Sequence, residues 1–196
     1  MSHPNAASRG REEDIHAAAL QLFRDKGYHA TSMREIGEAV GMLKGSLYTY
    51  INSKEDLLAP IFERCTVPLV REMERIVADG SLDARQQLRQ AIHMHVHQVA
   101  EKLDVLTVFV SEWRQLSSES LAGLRAQTEH YVDLMVGIVE RGIREGAFRP
   151  VDSRMTVLAL IGMCNWMARW YRTDGRLTPD EIADHFADLL LRGLDR

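Results

Sequence analysis

Residues 31–58, TSMREIGEAVGMLKGSLYTYINSKEDLL, spell two short helices, a tight turn between them and the capped start of a third. Ser32 can cap a helix while Glu35, three residues later, reaches back to complete a capping box. Met33, Ile36, Gly37 and Val40 then recur at i, i+3, i+4 and i+7, which makes one buried stripe, and Gly41 supplies the easily turned residue that stops it. A second helix is expected from about Lys44 to Ile51, pinned to a core by Leu47 and Ile51. Lys44, Gly45, Ser46, Tyr48, Thr49 and Tyr50 are left facing mostly outward. Ser53 with Asp56 is a further cap, so the next helix is expected from about Lys54.

That outward face is small, hydroxylated and cationic, and packing alone does not require it. The spacing is that of a helix-turn-helix, whose second helix enters the major groove of DNA. Residues 1–58 carry seven Lys and Arg against eight Asp and Glu, and the whole chain has a formal charge of −4, so net charge does not point to nucleic acid. The local pattern does: no acidic residue occurs from Ala39 to Lys54, and Lys44 and Lys54 bracket two tyrosines whose hydroxyls can bond phosphate oxygens. Upstream, Arg9 and Arg11 sit in a polar leader, expected as a flexible arm over residues 1–10 that reaches a phosphate or minor groove. Ile15, Ala18, Ala19, Leu22 and Phe23 form the stripe of a first helix, closed by Gly27.

AALQLFRDKGYHATSMREIGEAVGMLKGSLYTYINSKEDLL, residues 18–58, resembles the N-terminal domain of the tetracycline-repressor (TetR) family of transcription regulators. The resemblance implies an all-α homodimeric DNA binder whose larger C-terminal part holds a small-molecule pocket. It places Lys44, Gly45, Ser46, Tyr48 and Thr49 on the recognition helix. Tyr50 and Lys54 match the usual phosphate contacts, and Thr31 the hydroxyl entering the second helix. Leu43 departs from the pattern, because that position is usually a Ser or Thr cap, and a missing cap costs about 1 kcal/mol.

From Ala59 onward the chain reads as helices joined by short breaks, without strand alternation, so the fold class is all-α. The domain reading is a helix-turn-helix domain over 11–58 and a ligand-binding and dimerisation domain over 59–196, with about nine helices in all. Pro60 falls inside the helix begun at Ser53, where it would remove a hydrogen bond and bend the chain, and Pro68 follows. Further helices are expected at about 83–101, 103–116, 118–145, 153–171 and 179–194, the last with Thr178 as N-cap, Pro179 in its first turn and Glu181 as capping-box acid. Its stripe of Ile182, Phe186, Leu189, Leu190 and Gly193 needs a partner. The family resemblance implies that the last two long helices, 153–171 and 179–194, form a four-helix dimer interface. An intramolecular core explains the same stripe.

Trp166 and Trp170 are four residues apart, with Arg169 and Arg172 beside them, a combination suited to a ligand with an apolar part and phosphates or a carboxylate. This tail, with EWRQLS at 112–117, is similar to the TetR subgroup that senses acyl-CoA thioesters of fatty-acid or steroid breakdown. The effector-site candidates are Trp113, Arg114, Tyr131, Met135, Met163, Trp166 and Arg169. Core aromatics with snorkelling arginines at a dimer seam are the competing reading.

His93, His97 and Glu101 share one helix face, a spacing that can hold zinc. His95 points elsewhere, no cysteine is near and no ligand on a second helix is identifiable, so a hydrogen-bonded or solvated histidine face is expected, without metal. Cys65 and Cys164 lie in separate helices without a metal or redox pattern and are expected as small hydrophobes. No apolar run approaches the roughly 18 residues that span a bilayer, and the first thirty residues carry no apolar signal region, so the expectation is a cytoplasmic chain. No G-x-S-x-G, P-loop or H-E-x-x-H pattern is present, and no enzyme is expected. The leading reading is a repressor that binds a palindromic operator and is released by a small molecule. A ligand-independent DNA binder, activating or architectural, and a regulator of efflux genes sensing aromatic or cationic drugs are the alternatives.

Overall fold

The computed structural model describes residues 6–195, and within them every regular element is helical. Ten α-helices follow in chain order: α1 (Ala6–Lys26), α2 (Met33–Ala39), α3 (Lys44–Leu47), α4 (Leu58–Ala78), α5 (Ala84–Glu101), α6 (Leu103–Glu112), α7 (Ser118–Arg144), α8 (Ser153–Asn165), α9 (Met167–Trp170) and α10 (Pro179–Leu194). Only Trp166 separates α8 from α9, and as one bent helix they reduce the total to nine. Helix α1 begins at Ala6, so residues 6–10 of the expected flexible arm are helical. Residues 1–5 lie outside the described residues, as does the side chain of Arg9.

Two compact units divide the chain. One consists of the residues up to Arg64 together with Asp104–Leu124; the other of Cys65–Leu103 and the residues from Arg125 on. The first is built on Ile15, Ala19, Phe23, Ile36, Leu47, Ile51, Leu57, Leu58 and Phe62, all buried. Val108 of α6 joins this core, Phe109 meets Phe62 edge-on at 5.1 Å, and Arg24 of α1 bridges Asp104 at 2.8 Å. The α6 segment, placed after the head domain by sequence, therefore packs within the same unit as α1–α3.

In the second unit α5 is the central helix, with α8, α9 and α10 packed on it. Its start is fixed by a capping box in which Asp83 accepts from the Gln86 amide and Gln86 accepts from that of Asp83. Helix α8 is capped by Asp152, and α10 by a Thr178–Glu181 box with Pro179 in the first turn. Within this core lies a buried polar triad: His95 meets the Tyr131 hydroxyl at 2.7 Å through Nδ1 and Asn165 Oδ1 at 3.0 Å through Nε2. Burial keeps the His95 imidazole neutral, its pKa below the usual value. Burial also pushes the Cys164 thiol up to about 12, consistent with a packing role.

Pro60 differs from expectation. Helix α4 begins at Leu58, after a 3₁₀ turn at Glu55–Leu57, so Pro60 sits in the first helical turn, where an N–H has no intrahelical acceptor to lose. The missing bond belongs to Pro68, which lies inside α4.

Candidate DNA-binding face

Helix α2 starts as its sequence predicts. Ser32 Oγ accepts from the Glu35 amide at 3.2 Å, and the Glu35 carboxylate accepts from the Ser32 amide at 2.8 Å. Lys26 also reaches Glu35 at 2.7 Å, and these donors hold its carboxyl near a pKa of about 2. The turn after α2 depends on two glycines. Gly41 has φ +67°, a left-handed conformation that side chains disfavour. A Cβ on Gly37 would stand 2.8 Å from the carbonyl oxygen of Met42, whose amide donates to Gly37 O at 2.8 Å. The backbone thus folds directly onto α2, and α3 leaves the turn in a fixed direction.

Helix α3 is shorter than its sequence pattern. Regular α-helix ends at Leu47; Thr49 and Tyr50 then donate to the third residue back, a tighter 3₁₀-like winding that carries the face on to Ile51. Leu43 is the N-cap, makes no side-chain cap bond and is 82% exposed. An uncapped start and Gly45 in the first turn leave little to extend a four-residue helix.

Lys44, Gly45, Ser46, Tyr48 and Thr49 are exposed while Leu47 is fully buried, which is the outward face expected. Lys44 Nζ lies 5.9 Å from the Tyr48 ring centroid, one turn away. The Thr49 hydroxyl donates to Ser46 O at 2.7 Å, leaving its oxygen lone pairs free to accept. Tyr50 is half-buried against the core.

Two of the expected DNA contacts are turned inward. Thr31 is 2% exposed, and its hydroxyl lies 2.9 Å from Gly27 O and 3.3 Å from Leu22 O, so it ties the end of α1 to the start of α2 and does not face solvent. Lys54 donates to Tyr28 O at 2.7 Å and to Thr31 O at 3.0 Å, with its ammonium 4.2 Å from the Tyr28 ring centroid. Its charge satisfies two carbonyls of the loop between α1 and α2. Sequence spacing hid this clamp because its partners lie 23 and 26 residues away.

The effector-site candidates fall in both units. Trp113 and Arg114 belong to the first unit, where the guanidinium stacks 4.8 Å from the indole. The other five belong to the second. Tyr131 and Met135 are packed in its core, the Tyr131 hydroxyl engaged by His95. Met163 lines an open groove of about 310 Å³ between α8 and α10, together with Val151, Ala159, Leu189 and Leu190. Trp166 and Arg169 are exposed. Among these seven, Met163 is the one that lines that groove.

Trp166 is one of several exposed apolar side chains. Met155, Leu158, Trp166 and Trp170 on α8 and α9, and Leu189 on α10, are all exposed, Trp166 and Leu189 to 64% each. The α10 stripe also splits: Ile182, Ala183, Ala187, Leu191 and Leu194 are the buried positions, whereas Phe186 and Leu190 are half-buried and Leu189 and Gly193 open.

Residues 15–61 match the family described as bacterial regulatory proteins, tetR family, and residues 81–194 match the tetracyclin repressor-like C-terminal domain. The chain belongs to the TetR family. It is 29% identical over 187 residues to the HTH-type transcriptional repressor KstR2 of Rhodococcus jostii (strain RHA1), covering 94% of this chain and 91% of that protein. The crystal structure of the TetR-family regulator PfmR from Thermus thermophilus has a TM-score of 0.85 at 32% identity, covering 93% of this chain and 99% of that one. AibR, crystallised with isovaleryl coenzyme A and operator DNA, has a TM-score of 0.83 at 30% identity, covering 92% and 98%. As a TetR regulator the chain is a DNA-binding transcription factor and not an enzyme; regulators of this family bind operator DNA as dimers and respond to small-molecule effectors. No helix among the described residues is long and apolar enough to cross a membrane.

Proposed function

We propose that this TetR regulator is a repressor that binds a palindromic operator through Lys44, Gly45, Ser46, Tyr48 and Thr49, with Tyr50 beside the phosphates, and is released by an acyl-CoA thioester of lipid or steroid breakdown. The observation that carries the DNA face is the exposed, acid-free surface of α3 and its continuation, held in direction by the Gly37–Met42 contact. Thr31 and Lys54 act behind it, by bracing the loop between α1 and α2. The exposed apolar residues of α8, α9 and α10 support dimerisation through 153–170 and 179–194. A dimer sets two α3 faces for successive major grooves, about 34–36 Å apart. The site of action is the cytoplasm, where operator DNA and CoA thioesters occur together.

The effector class rests on the isovaleryl-CoA complex of the similar chain AibR, not on a cavity of this one. Release follows from linkage: a thioester that binds better when the two heads are wrongly spaced lowers operator affinity by the same differential. The test is a thermal-shift panel with isovaleryl-CoA, longer acyl-CoA thioesters, free CoA, the free acids and planar cationic drugs. An effector at one hundred times its Kd stabilises the native state by about 2.7 kcal/mol. Stabilisation by thioesters alone supports the proposal, stabilisation by drugs alone favours control of efflux, and no stabilisation favours a ligand-independent DNA binder.

A further inference from the structure

We propose that His93 and His97 of α5 and Asp180 of α10 form a binding site for a divalent transition metal, with zinc the fitting ion. The two histidines lie one turn apart on α5, and the first turn of α10 brings Asp180 against them, so that one donor atom from each lies within 4.8 Å of the others. His97 Nε2 stands 2.8 Å from Asp180 Oδ1, and His93 Nδ1 stands 4.0 Å from the same oxygen. Zinc bound at about 2.0–2.1 Å in tetrahedral geometry needs donors roughly 3.3 Å apart, and the two observed spacings lie either side of that value. Asp180 is exposed and the two histidines are half-exposed, so small side-chain rotations cross this gap.

The second nitrogen of His93 strengthens the assignment. His93 Nε2 is 3.0 Å from Asp184 Oδ1, one turn along α10 from Asp180. A carboxylate accepting from Nε2–H leaves the Nδ1 lone pair directed at the Asp180 side, the arrangement in which metal-bound imidazoles are held by an outer carboxylate. Asp184 is itself 3.3 Å from Arg89, whose other nitrogen bonds Asp188, so Asp184 is kept in place as an orienting group and not as a fourth ligand. Glu101, the third member of the α5 face, lies outside this cluster; the partner that sequence spacing could not supply comes from α10. Two nitrogen ligands and one carboxylate leave the fourth position to water. An ion here ties the start of α10 to α5, while the opposite, apolar edge of α10 remains the exposed dimer surface proposed above.

The experiment is a titration of the full-length protein, freed of metal with a chelator, by Co²⁺ and then Zn²⁺. Visible absorption of bound Co²⁺, its displacement by Zn²⁺ and the thermal midpoint are followed together. The expected result is one ion per chain, a Co²⁺ spectrum of low coordination number, and a midpoint that rises with Zn²⁺. His97→Gln, His93→Gln and Asp180→Asn each abolish the spectrum, Asp184→Asn weakens affinity by about 10–100-fold, and the control His130→Gln leaves it unchanged. The proposal is overturned if the unaltered protein gives no Co²⁺ spectrum, or if the His97→Gln variant binds as tightly as the parent. The variants alter exposed or half-exposed side chains, and the titration of the unaltered protein decides the question even where one of them folds poorly.

Discussion

Replacing Lys54 with methionine separates two roles for one ammonium group. In the structure it donates to Tyr28 O and Thr31 O at 2.7 and 3.0 Å and lies 4.2 Å from the Tyr28 ring. Hydrogen bonds from a charged donor contribute about 1.5–3 kcal/mol each, and the lower end applies where water can reach the abandoned carbonyls. A cation over a tyrosine ring adds about 0.5–1 kcal/mol, and methionine keeps the stem packing, so the net cost is about 3–4 kcal/mol. For a chain of this length that lowers the thermal midpoint by roughly 6–16 °C, read by circular dichroism. Lys44→Met is the control: Lys44 is exposed with only a distant ring contact, so its midpoint should move little while DNA affinity falls. The reverse pattern refutes the clamp: Lys54→Met melting with the parent while losing affinity for every DNA sequence alike would assign the ammonium to a phosphate.

Three further outcomes are expected. Gly37→Ala drives a methyl group to within 2.8 Å of the Met42 carbonyl, so it should cost about 1–3 kcal/mol and abolish tight operator binding, checked by melting and fluorescence anisotropy. The native state holds His95 neutral, with a pKa below 6.5, whereas the unfolded chain takes up that proton near 6.5; stability should therefore fall as pH drops below about 6.5. His95→Gln should flatten that part of a denaturant-midpoint profile measured against pH. Leu189→Glu places a charge on the open edge of α10 and should raise the dimer dissociation constant by at least roughly tenfold in sedimentation, with operator affinity falling in step.

The head was legible because its signals are local. Ser32–Glu35, Gly41 and the Leu47 position each act within one turn, and the structure keeps every one of them. The same holds for the cap at Thr178, and the starts of α5, α8 and α10 fall within a residue of expectation. What spacing could not show were contacts between distant segments: Lys54 folded onto the loop after α1, Thr31 turned to carbonyls at the end of α1, and Asp180 brought to His97 across 83 residues. Tyr131 illustrates the limit for the effector region. Offered as an effector candidate from the resemblance, it also completes through its hydroxyl a triad with His95 and Asn165, whose members come from three helices and which spacing could not show. The split stripe of α10 has a similar cause, because periodicity marks apolar positions without telling a face packed within the chain from one left open for a second copy.

The central proposal is that the α3 face of a dimer reads a two-fold symmetric site and lets go when the effector binds. Footprinting of the purified protein on operator DNA selected from a random pool, with and without isovaleryl-CoA, tests this most directly. Two protected half-sites centred about 10–10.5 base pairs apart, lost with Lys44→Ala and weakened at least tenfold by the thioester but not by free CoA, are the predicted result. Sequence-tolerant protection governed by salt alone, unchanged by Lys44→Ala, would contradict it.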